Sequence, residues 1–217
     1  MSEPVTIAVL AKAPEPGRVK TRLCPPCSHR QAASIARAAL QDTVAAAVAV
    51  PVARRVLVLD GDPAGWTDLG IEVLPQRGGG LDERLAAAFA DIGGRTLLIG
   101  MDTPQLTIDD LAHAAGVLAS SRSDAVLGPA HDGGYWAIGL PGPNDGAFIG
   151  VPMSAADTGA AQLTRLRDLG HAVHLLEPRL DVDRWDDALA VAAAAPGTRF
   201  GRAVTAVAAT LEPAGPS

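Results

Sequence analysis

Apolar and polar positions follow two different periodic patterns along this chain. Short apolar, β-branched runs predict strands, and longer stretches with an apolar residue every three or four positions predict amphipathic helices. The predicted strands lie at residues 5–10, 55–59, 71–74, 95–100, 125–128, 135–140 and 173–176. The predicted helices lie at residues 29–48, 81–92, 108–119, 158–169, 185–195 and 201–210.

This succession of strands and helices continues without a break in composition and without an internal repeat. It favours one α/β domain, a three-layer α/β/α sandwich around a mostly parallel central sheet. We place this domain at residues 1–211 and expect a flexible C-terminal tail at residues 212–217.

Composition excludes several classes of function. A net charge of −6 and a pI of about 5.3 argue against a nucleic-acid binder that uses a broad basic face. No apolar run reaches the ~18 residues needed to span a bilayer, and no basic-then-apolar leader opens the sequence. We expect a cytoplasmic monomer or homodimer that binds small molecules, and neither nucleic acid nor membrane.

A cationic loop follows the first predicted strand. Prolines and Gly17 end any regular structure there, and the only carboxylate in the loop is Glu15. Open α/β sheets bind ligands beyond the carboxyl ends of their strands, so the loop predicts an anionic ligand, most simply a phosphate ester. The alternative is a basic loop that is merely solvated. The four cations are Lys12, Arg18, Lys20 and Arg22.

The loop does not match the P-loop of nucleotide-binding proteins. That motif needs glycine directly before its lysine, whereas Val19 precedes Lys20 and a β-branched residue resists positive φ. No G-x-G-x-x-G follows the strand either, which weakens a dinucleotide-binding interpretation.

Two further segments supply carboxylates. Asp102 directly follows the most apolar predicted strand, and alternation along an extended segment puts Asp181 and Asp183 on the same side. Hard cations bind one or two carboxylates together with substrate phosphates, so we predict a Mg²⁺ or Mn²⁺ site in the crevice that also holds Lys20. The alternatives are an ordinary turn aspartate at position 102 and a helix N-cap at Asp183.

A polar and glycine-rich segment follows the fifth strand. Its two glycines allow close approach of a ligand to the backbone, and its side chains offer a polar and aromatic wall. The alternative is an Asp-Gly hairpin turn that joins strands five and six, and both interpretations can hold together. The predicted substrate-binding residues are His131, Asp132, Gly133, Gly134 and Tyr135.

Cys24 and Cys27 form the single C-x-x-C of the chain. His29 alone does not complete a tetrahedral zinc site, and the two intervening prolines favour cysteines without a function. Whether the pair has a redox role stays open.

Together these motifs resemble a known family. They are AKAP at residues 11–14, GRVKTRL at 17–23, GMDTP at 100–104, GPAHDGGYW at 128–136 and DVD at 181–183. In this order, over nearly the whole chain, they resemble the bacterial rSAM/selenodomain-associated transferase 1 proteins. That family is also labelled arsenosugar-biosynthesis-type glycosyltransferase and is similar to 2-phospholactate guanylyltransferases. The resemblance implies a GT-A-like nucleotide-diphospho-sugar transferase fold.

The resemblance also implies roles for individual residues. Lys20 would contact the α-phosphate of the nucleotide, with Arg18 and Arg22 assisting. Asp102 would be the main metal ligand and Asp183 the second.

Base or ribose contacts are implied for a second loop, through Gln76, Gly79 and Asp82. The chain departs from the family pattern at the C-P-P-C segment, where relatives usually have Ala-Pro. It departs again at Met153 and Ser154, where many relatives have Trp-Ser, and this departure concerns the acceptor pocket.

Two enzymatic reactions would use the same machinery, with Lys20 and Asp102 as catalytic residues. We favour nucleotidyl transfer from a nucleoside triphosphate to a small phosphorylated acceptor, because a lysine aimed at the α-phosphate and a short chain suit it. Glycosyl transfer from a nucleotide-diphospho-sugar to a small-molecule acceptor is the alternative. A non-catalytic nucleotide-binding protein is the third hypothesis.

Overall fold

The computed structural model describes residues 4–120 and 124–211, so the predicted tail at 212–217 lies outside the described residues. Within them the strands are β1 (Thr6–Lys12), β2 (Arg54–Asp60), β3 (Glu72–Pro75), β4 (Thr96–Gly100), β5 (Ala125–Pro129), β6 (Tyr135–Leu140) and β7 (Val173–Leu175). The helices are α1 (His29–Ala49), α2 (Leu81–Ile92), α3 (Ile108–Ala119), α4 (Thr158–Asp168), α5 (Trp185–Ala194) and α6 (Arg199–Leu211). Each predicted strand and helix is present, with ends shifted by at most two residues.

The seven strands form one sheet in the order β3-β2-β1-β4-β6-β5-β7. Only β6 runs antiparallel to its neighbours β4 and β5, so the prediction of a mostly parallel sheet is confirmed. The chain leaves β1 toward β2 on one side and later returns to place β4 on the other. Open α/β sheets bind their ligands where the strand order reverses in this way.

Helices cover both faces of the sheet. The core on one face contains α1 and α3, and the core on the other contains α2 and α4, which confirms the three layers. Strand residues alternate between the two cores, as Ile7 and Ala8 do.

The helices α5 and α6 form an additional layer outside α1. The helix α1 packs Ala36 and Leu40 toward the sheet, whereas Ile35 and Ala39 on its other face join a third core with residues of α5 and α6. The small alanines of α1 allow both neighbours to approach closely. The sequence pattern predicted these two helices without indicating what they would pack against.

The longest helix of the described part, α1, has 21 residues. Neither α1 nor any other helix in this part combines the length and apolar character needed to cross a lipid bilayer.

Candidate active site

A cleft of about 730 Å³ opens at the carboxyl edge of the sheet, where β1 and β4 are neighbours. Its walls come from the loops after β1 and β4, from residues 76–85, and from three later segments, residues 130–136, 153–158 and 181–183. Ten of the predicted site residues lie on these walls: Lys12, Arg18, Lys20, Arg22, Gln76, Asp102, Asp132, Gly134, Tyr135 and Asp183.

Lys20 lies at the centre of the polar contacts in this cleft. Its Nζ is 2.7 Å from Asp102 Oδ1, and its side chain is only 8% exposed. The same ammonium donates a hydrogen bond to the Val182 carbonyl, and the Val182 amide donates to the Asp102 carbonyl at 2.8 Å. One lysine therefore joins the loops after β1 and β4 to the segment 181–183. The predicted juxtaposition of Lys20 with the two acidic segments is present.

Backbone strain also concentrates in the cleft. Among the described residues, only two besides glycine have positive φ, Lys20 at 49° and Ser154 at 58°, and both line the cleft. Such conformations are sparsely populated by L-residues and cluster at functional sites. Ser154 was not among the predicted site residues, because a left-handed serine has no sequence signature.

A second ion pair lies at the rim. Arg22 is 2.9 Å from Asp183 Oδ2; the arginine side chain is largely exposed and the aspartate side chain is partly buried. The alternative assignment of Asp183 as a helix N-cap is wrong. Arg184 occupies the N-cap of α5, and the Asp187 carboxylate accepts the Asp183 and Arg184 amides at 3.2 and 2.7 Å.

Asp181 is an unsatisfied carboxylate on the cleft wall. Within the described residues its Oδ1 is buried and has no hydrogen-bond partner. Burial raises the pKa of Asp181 to about 6, and the negative charges of Asp132 and Asp102 act in the same direction. An excess of carboxylate charge at a buried oxygen is the chemistry that suits a hard divalent cation.

The carboxylates do not form a complete metal site by themselves. Across residues 4–120 and 124–211, no three His, Cys, Asp or Glu side chains are arranged to hold a metal ion. This arrangement still fits Mg²⁺ or Mn²⁺, because these ions commonly take one or two carboxylates and complete their shells with water and substrate phosphates.

We expect the Asp181→Asn substitution to stabilise the metal-free protein at pH 7 by about 1–2 kcal/mol, a value discounted for solvent screening. The folded-state pKa of about 6 lies above the ordinary value of 3.8, so the folded protein binds this proton more tightly. The resulting stabilisation is complete below about pH 4 and is lost as the pH rises through about 6. Urea unfolding in chelator from pH 4 to 8 measures the effect.

The gain should shrink as the pH falls from 7 toward 4, because Asp181 becomes protonated in the folded state and partly protonated in the unfolded state. The matched control is Asp168→Asn, since Asp168 is an exposed carboxylate at the end of α4 and outside the cleft lining. A loss of stability at pH 7 in Asp181→Asn would contradict the assignment.

Arg18 and Arg84 add two further cationic side chains to the cleft lining. Arg18 is 2.9 Å from Glu15 and 3.7 Å from Asp60, and Arg84 is 3.1 Å from the same Asp60. Gln76 is fixed at the sheet edge, where its amide nitrogen donates to the carbonyls of residues 11 and 58 at 2.7 and 3.1 Å. Sequence reasoning missed Arg84, because its helix gave no indication that this side chain lines the cleft.

Five predicted site residues do not reach the cleft walls within the described part of the chain. Asp82 instead accepts the Gly150 amide at 3.2 Å, and the Gly79 amide donates to Glu83 at 2.7 Å. These contacts anchor the neighbouring loops, and the predicted ligand contacts of these residues stay predictions. The five residues are Gly17, Gly79, Asp82, His131 and Gly133.

The wall formed after β5 is a tight turn. Asp132 Oδ1 accepts the Gly134 amide at 2.8 Å, as in an Asx turn, and β5 and β6 pair antiparallel on either side. The hairpin that the Asp-Gly sequence predicts is therefore present, and Asp132 and Gly134 also line the cleft. Tyr135 donates to Gln162 at 3.3 Å, and burial raises the pKa of its phenol, which keeps the hydroxyl protonated.

Gly133 holds this turn against the segment 153–158. Its φ is +90°, and a Cβ added there would lie 1.8 Å from the Ala156 carbonyl oxygen. We expect Gly133→Ala to lower the free energy of unfolding by about 2–4 kcal/mol, since backbone strain and overpacking combine.

The control Gly65→Ala separates these two effects, because Gly65 has φ +83° with nothing within 4 Å of the added Cβ. It should cost about 1 kcal/mol. Equal losses in both variants, measured by urea unfolding, would show that contact with Ala156 contributes nothing.

Two buried hydroxyl residues complete the lining. Thr103 is 1% exposed, and within the described residues its Oγ1 has no hydrogen-bond partner. Thr158 hydrogen-bonds to the backbone of Ala155. Neither was predicted, because a threonine near a strand end or a helix start is common and carries no distinguishing pattern.

Both cysteines are free thiols next to the cationic loop. Burial, with a smaller contribution from Cys24, raises the pKa of the Cys27 thiol. A protonated thiol is a poor nucleophile and metal ligand. This agrees with the interpretation of the pair as cysteines without a function.

Comparison with known proteins adds a family and a fold. The family model described as "Uncharacterized protein conserved in bacteria (DUF2064)" matches residues 35–155. None of the curated proteins has a significantly similar sequence.

Three solved structures are similar over most of their length. A candidate nucleotide-diphospho-sugar transferase from Desulfovibrio desulfuricans G20 has a TM-score of 0.84 and 26% identity, covering 95% of this chain and 96% of its own. A cytidylyltransferase from Leptospira borgpetersenii serovar Hardjo-bovis has a TM-score of 0.61 and 10% identity, covering 95% and 94%. The manganese complex of Rv0371c from Mycobacterium tuberculosis H37Rv has a TM-score of 0.54 and 20% identity, covering 87% and 98%. The chain therefore has the nucleotide-diphospho-sugar transferase fold.

Proposed function

The chain belongs to the DUF2064 family, whose description names no reaction, and from its own cleft we propose a metal-dependent transferase with a nucleotide substrate. We favour nucleotidyl transfer from a nucleoside triphosphate to a small acceptor. Within the family we assign it to the rSAM/selenodomain-associated transferase 1 type, on the motifs described above.

The observation that carries the proposal is the position of Lys20. A nearly buried ammonium lies 2.7 Å from Asp102, beyond the carboxyl ends of β1 and β4 where the strand order reverses. A fixed cation at such a place stabilises negative charge that develops on a phosphoryl group, and it needs no rearrangement during the reaction. Lys20 would hold the α-phosphate, while Arg18 and Arg22 would hold the outer phosphates.

A divalent cation fits the acidic side of the cleft. Asp102 and Asp183 would hold it, and the buried, unpaired oxygen of Asp181 shows that carboxylate charge there is not satisfied by protein groups in the described residues. When bound, the ion would neutralise phosphate charge and orient the leaving group. The similar Mycobacterium tuberculosis protein is described as a manganese complex, which supports testing Mn²⁺ beside Mg²⁺.

In nucleotidyl transfer the acceptor oxygen attacks the α-phosphorus, and pyrophosphate leaves with the electrons of the broken bond. The residues of the chain contribute position and electrostatics, since Lys20 lies where charge accumulates and Gln76 fixes the sheet edge beneath it. The similarity to a cytidylyltransferase fold agrees with this chemistry.

Glycosyl transfer is the second candidate. It is favoured by the 26% identity to a candidate nucleotide-diphospho-sugar transferase over nearly the full length of both chains. An acceptor oxygen would then attack the anomeric carbon of the sugar, and the nucleoside diphosphate would leave.

Two assays separate the candidates. The first assay measures pyrophosphate release from the four nucleoside triphosphates, each tested with Mg²⁺ or Mn²⁺ and a panel of small acceptors. Release from at least one of them is the expected result for nucleotidyl transfer. Release of nucleoside diphosphate from nucleotide-diphospho-sugars would favour glycosyl transfer instead. Tight nucleotide binding by calorimetry with neither product would support a non-catalytic binding protein and overturn the proposal.

A further inference from the structure

We propose that the acceptor is a hydroxyl-bearing molecule without a phosphate group, neutral or carrying an amine. The inference rests on the proposed function and concerns the part of the cleft that the nucleotide would leave open. It departs from the phosphorylated acceptor predicted from the sequence, and the distribution of charge around the cleft is the reason.

The cationic side chains that line the cleft come from the first 84 residues of the chain, and two of them pair with carboxylates of the later segments. The five cationic side chains on the walls all precede residue 85 in the chain: Lys12, Arg18, Lys20, Arg22 and Arg84. We call the lining residues of segments 130–136 and 153–158 the far wall. These two segments contain no lysine or arginine, and Asp132 is the charged residue that they contribute to the lining.

The cations near the nucleotide side are also largely engaged. Lys20 pairs with Asp102, Arg22 with Asp183, and Arg18 and Arg84 share Asp60. Against five cations stand four lining carboxylates, at positions 102, 132, 181 and 183. These groups leave a net charge of about +1 on the cleft lining. A nucleoside triphosphate with one divalent cation carries more negative charge than this lining can neutralise. A second phosphate group would meet uncompensated negative charge, which is unfavourable at close range.

The far wall and the loop after β4 offer groups that can pair with hydroxyls. Thr103 lines the cleft at 1% exposure, and its Oγ1 has no hydrogen-bond partner within the described residues. A buried hydroxyl without a partner carries a free-energy cost that a ligand hydroxyl or amine removes. This observation is independent of the carboxylates and adds a polar group with which a ligand hydroxyl or amine can pair.

Two features of the far wall add to this chemistry. Asp132 is held by the Gly134 amide through Oδ1 at 2.8 Å, and its other carboxylate oxygen can accept from a ligand hydroxyl or ammonium. Ser154 is held at φ 58° on the same wall, a conformation that persists only where the surrounding structure imposes it.

The reaction balances with such an acceptor. A hydroxyl oxygen of the acceptor forms a bond to the α-phosphorus, and the bond from that phosphorus to the oxygen bridging to the β-phosphate breaks. Pyrophosphate leaves with the electron pair, and the hydroxyl proton is released to solvent. The product is a nucleoside monophosphate ester of the acceptor, and no other co-reactant is needed.

The experiment compares matched pairs of acceptors on the complete chain loaded with Mn²⁺ and the nucleoside triphosphate that calorimetry selects. The pairs are glycerol and glycerol 3-phosphate, glucose and glucose 6-phosphate, and glucosamine and glucosamine 6-phosphate. Saturation-transfer NMR measures binding of each acceptor to the protein while a slowly hydrolysed analogue of that nucleotide is bound. Mass spectrometry detects the nucleotidylated product.

We expect the unphosphorylated member of at least one pair to bind or react about tenfold better than its phosphate ester, as removal of close like-charge contact predicts. Asp132→Asn should reduce this preference about three- to tenfold, and nucleotide affinity is measured beside it. Asp168→Asn, which removes a carboxylate outside the cleft lining, should leave both unchanged.

Equal or better use of the phosphorylated members, retention of neither class, or a preference that Asp132→Asn does not alter would overturn the inference. Failure of the proposed function has a different signature. In that case the wild-type chain would bind none of the four nucleotides in the initial calorimetry, or would bind one and release no pyrophosphate with any acceptor of either class.

Discussion

Replacement of Lys20 by alanine should lower kcat of the transfer reaction by about 30- to 1000-fold, corresponding to about 2–4 kcal/mol of transition-state stabilisation. Removal of one preorganised donor from an active site has effects of this size. The lysine meets that description because it is nearly buried, paired with Asp102 at 2.7 Å and bonded to the Val182 carbonyl.

The kinetic constants distinguish catalysis from binding. An interaction made mainly in the transition state lowers kcat, whereas one made equally with the bound substrate raises KM alone. Steady-state kinetics with the selected nucleotide therefore measure the role directly. A loss confined to KM would show that Lys20 only binds the nucleotide.

Two further variants serve as controls for the Lys20→Ala measurement. Lys20→Arg retains the charge and should recover part of the activity lost in the alanine variant. Arg30→Ala removes an exposed cation of α1 outside the cleft lining and should leave both constants unchanged. Because Lys20 joins three segments, thermal unfolding of each variant has to show an intact fold before the rates are compared.

Much of the fold could be predicted because its local signals are strong. Capping boxes of residues close together in the sequence fix the starts of α1 and α3, with Ser28 paired to Gln31 and Thr107 paired to Asp110. Alternation of strand and helix fixed the fold class. The packing of α5 and α6 on α1 was not predictable, because a pattern that marks an apolar helix face does not identify the surface that covers it.

Some residues of the candidate site could be predicted from the sequence and others could not. Lys20 and Asp102 could be placed together because both follow strands whose carboxyl ends meet at one sheet edge. Thr103 and Ser154 could not, since their importance lies in burial without a partner and in an unusual backbone angle. The family resemblance implies a ligand contact for Asp82, which stays a prediction. Its carboxylate accepts the Gly150 amide, a contact that the sequence did not indicate, because side-chain directions depend on tertiary packing.

The second large effect concerns Asp102, whose replacement by asparagine should abolish metal-dependent turnover, with a loss of about 10³-fold or more. Asparagine has nearly the same shape and can still accept from Lys20, but it lacks the charge that a hard cation requires. The fold should survive, because this side chain is 52% exposed and the backbone bond from Val182 to residue 102 does not depend on it.

Turnover across a Mn²⁺ titration, together with calorimetric Mn²⁺ binding and thermal unfolding, separates the possible causes of such a loss. If Asp102 is a metal ligand, the variant should bind Mn²⁺ more weakly at an unchanged melting temperature. If Asp102 only positions Lys20, the variant should bind Mn²⁺ normally and show a reduced kcat. The control Asp168→Asn removes an equal charge outside the cleft lining and should match the wild-type chain in all three measurements. Normal turnover in Asp102→Asn would rule out the metal assignment, because turnover would then not need the charge of the Asp102 carboxylate.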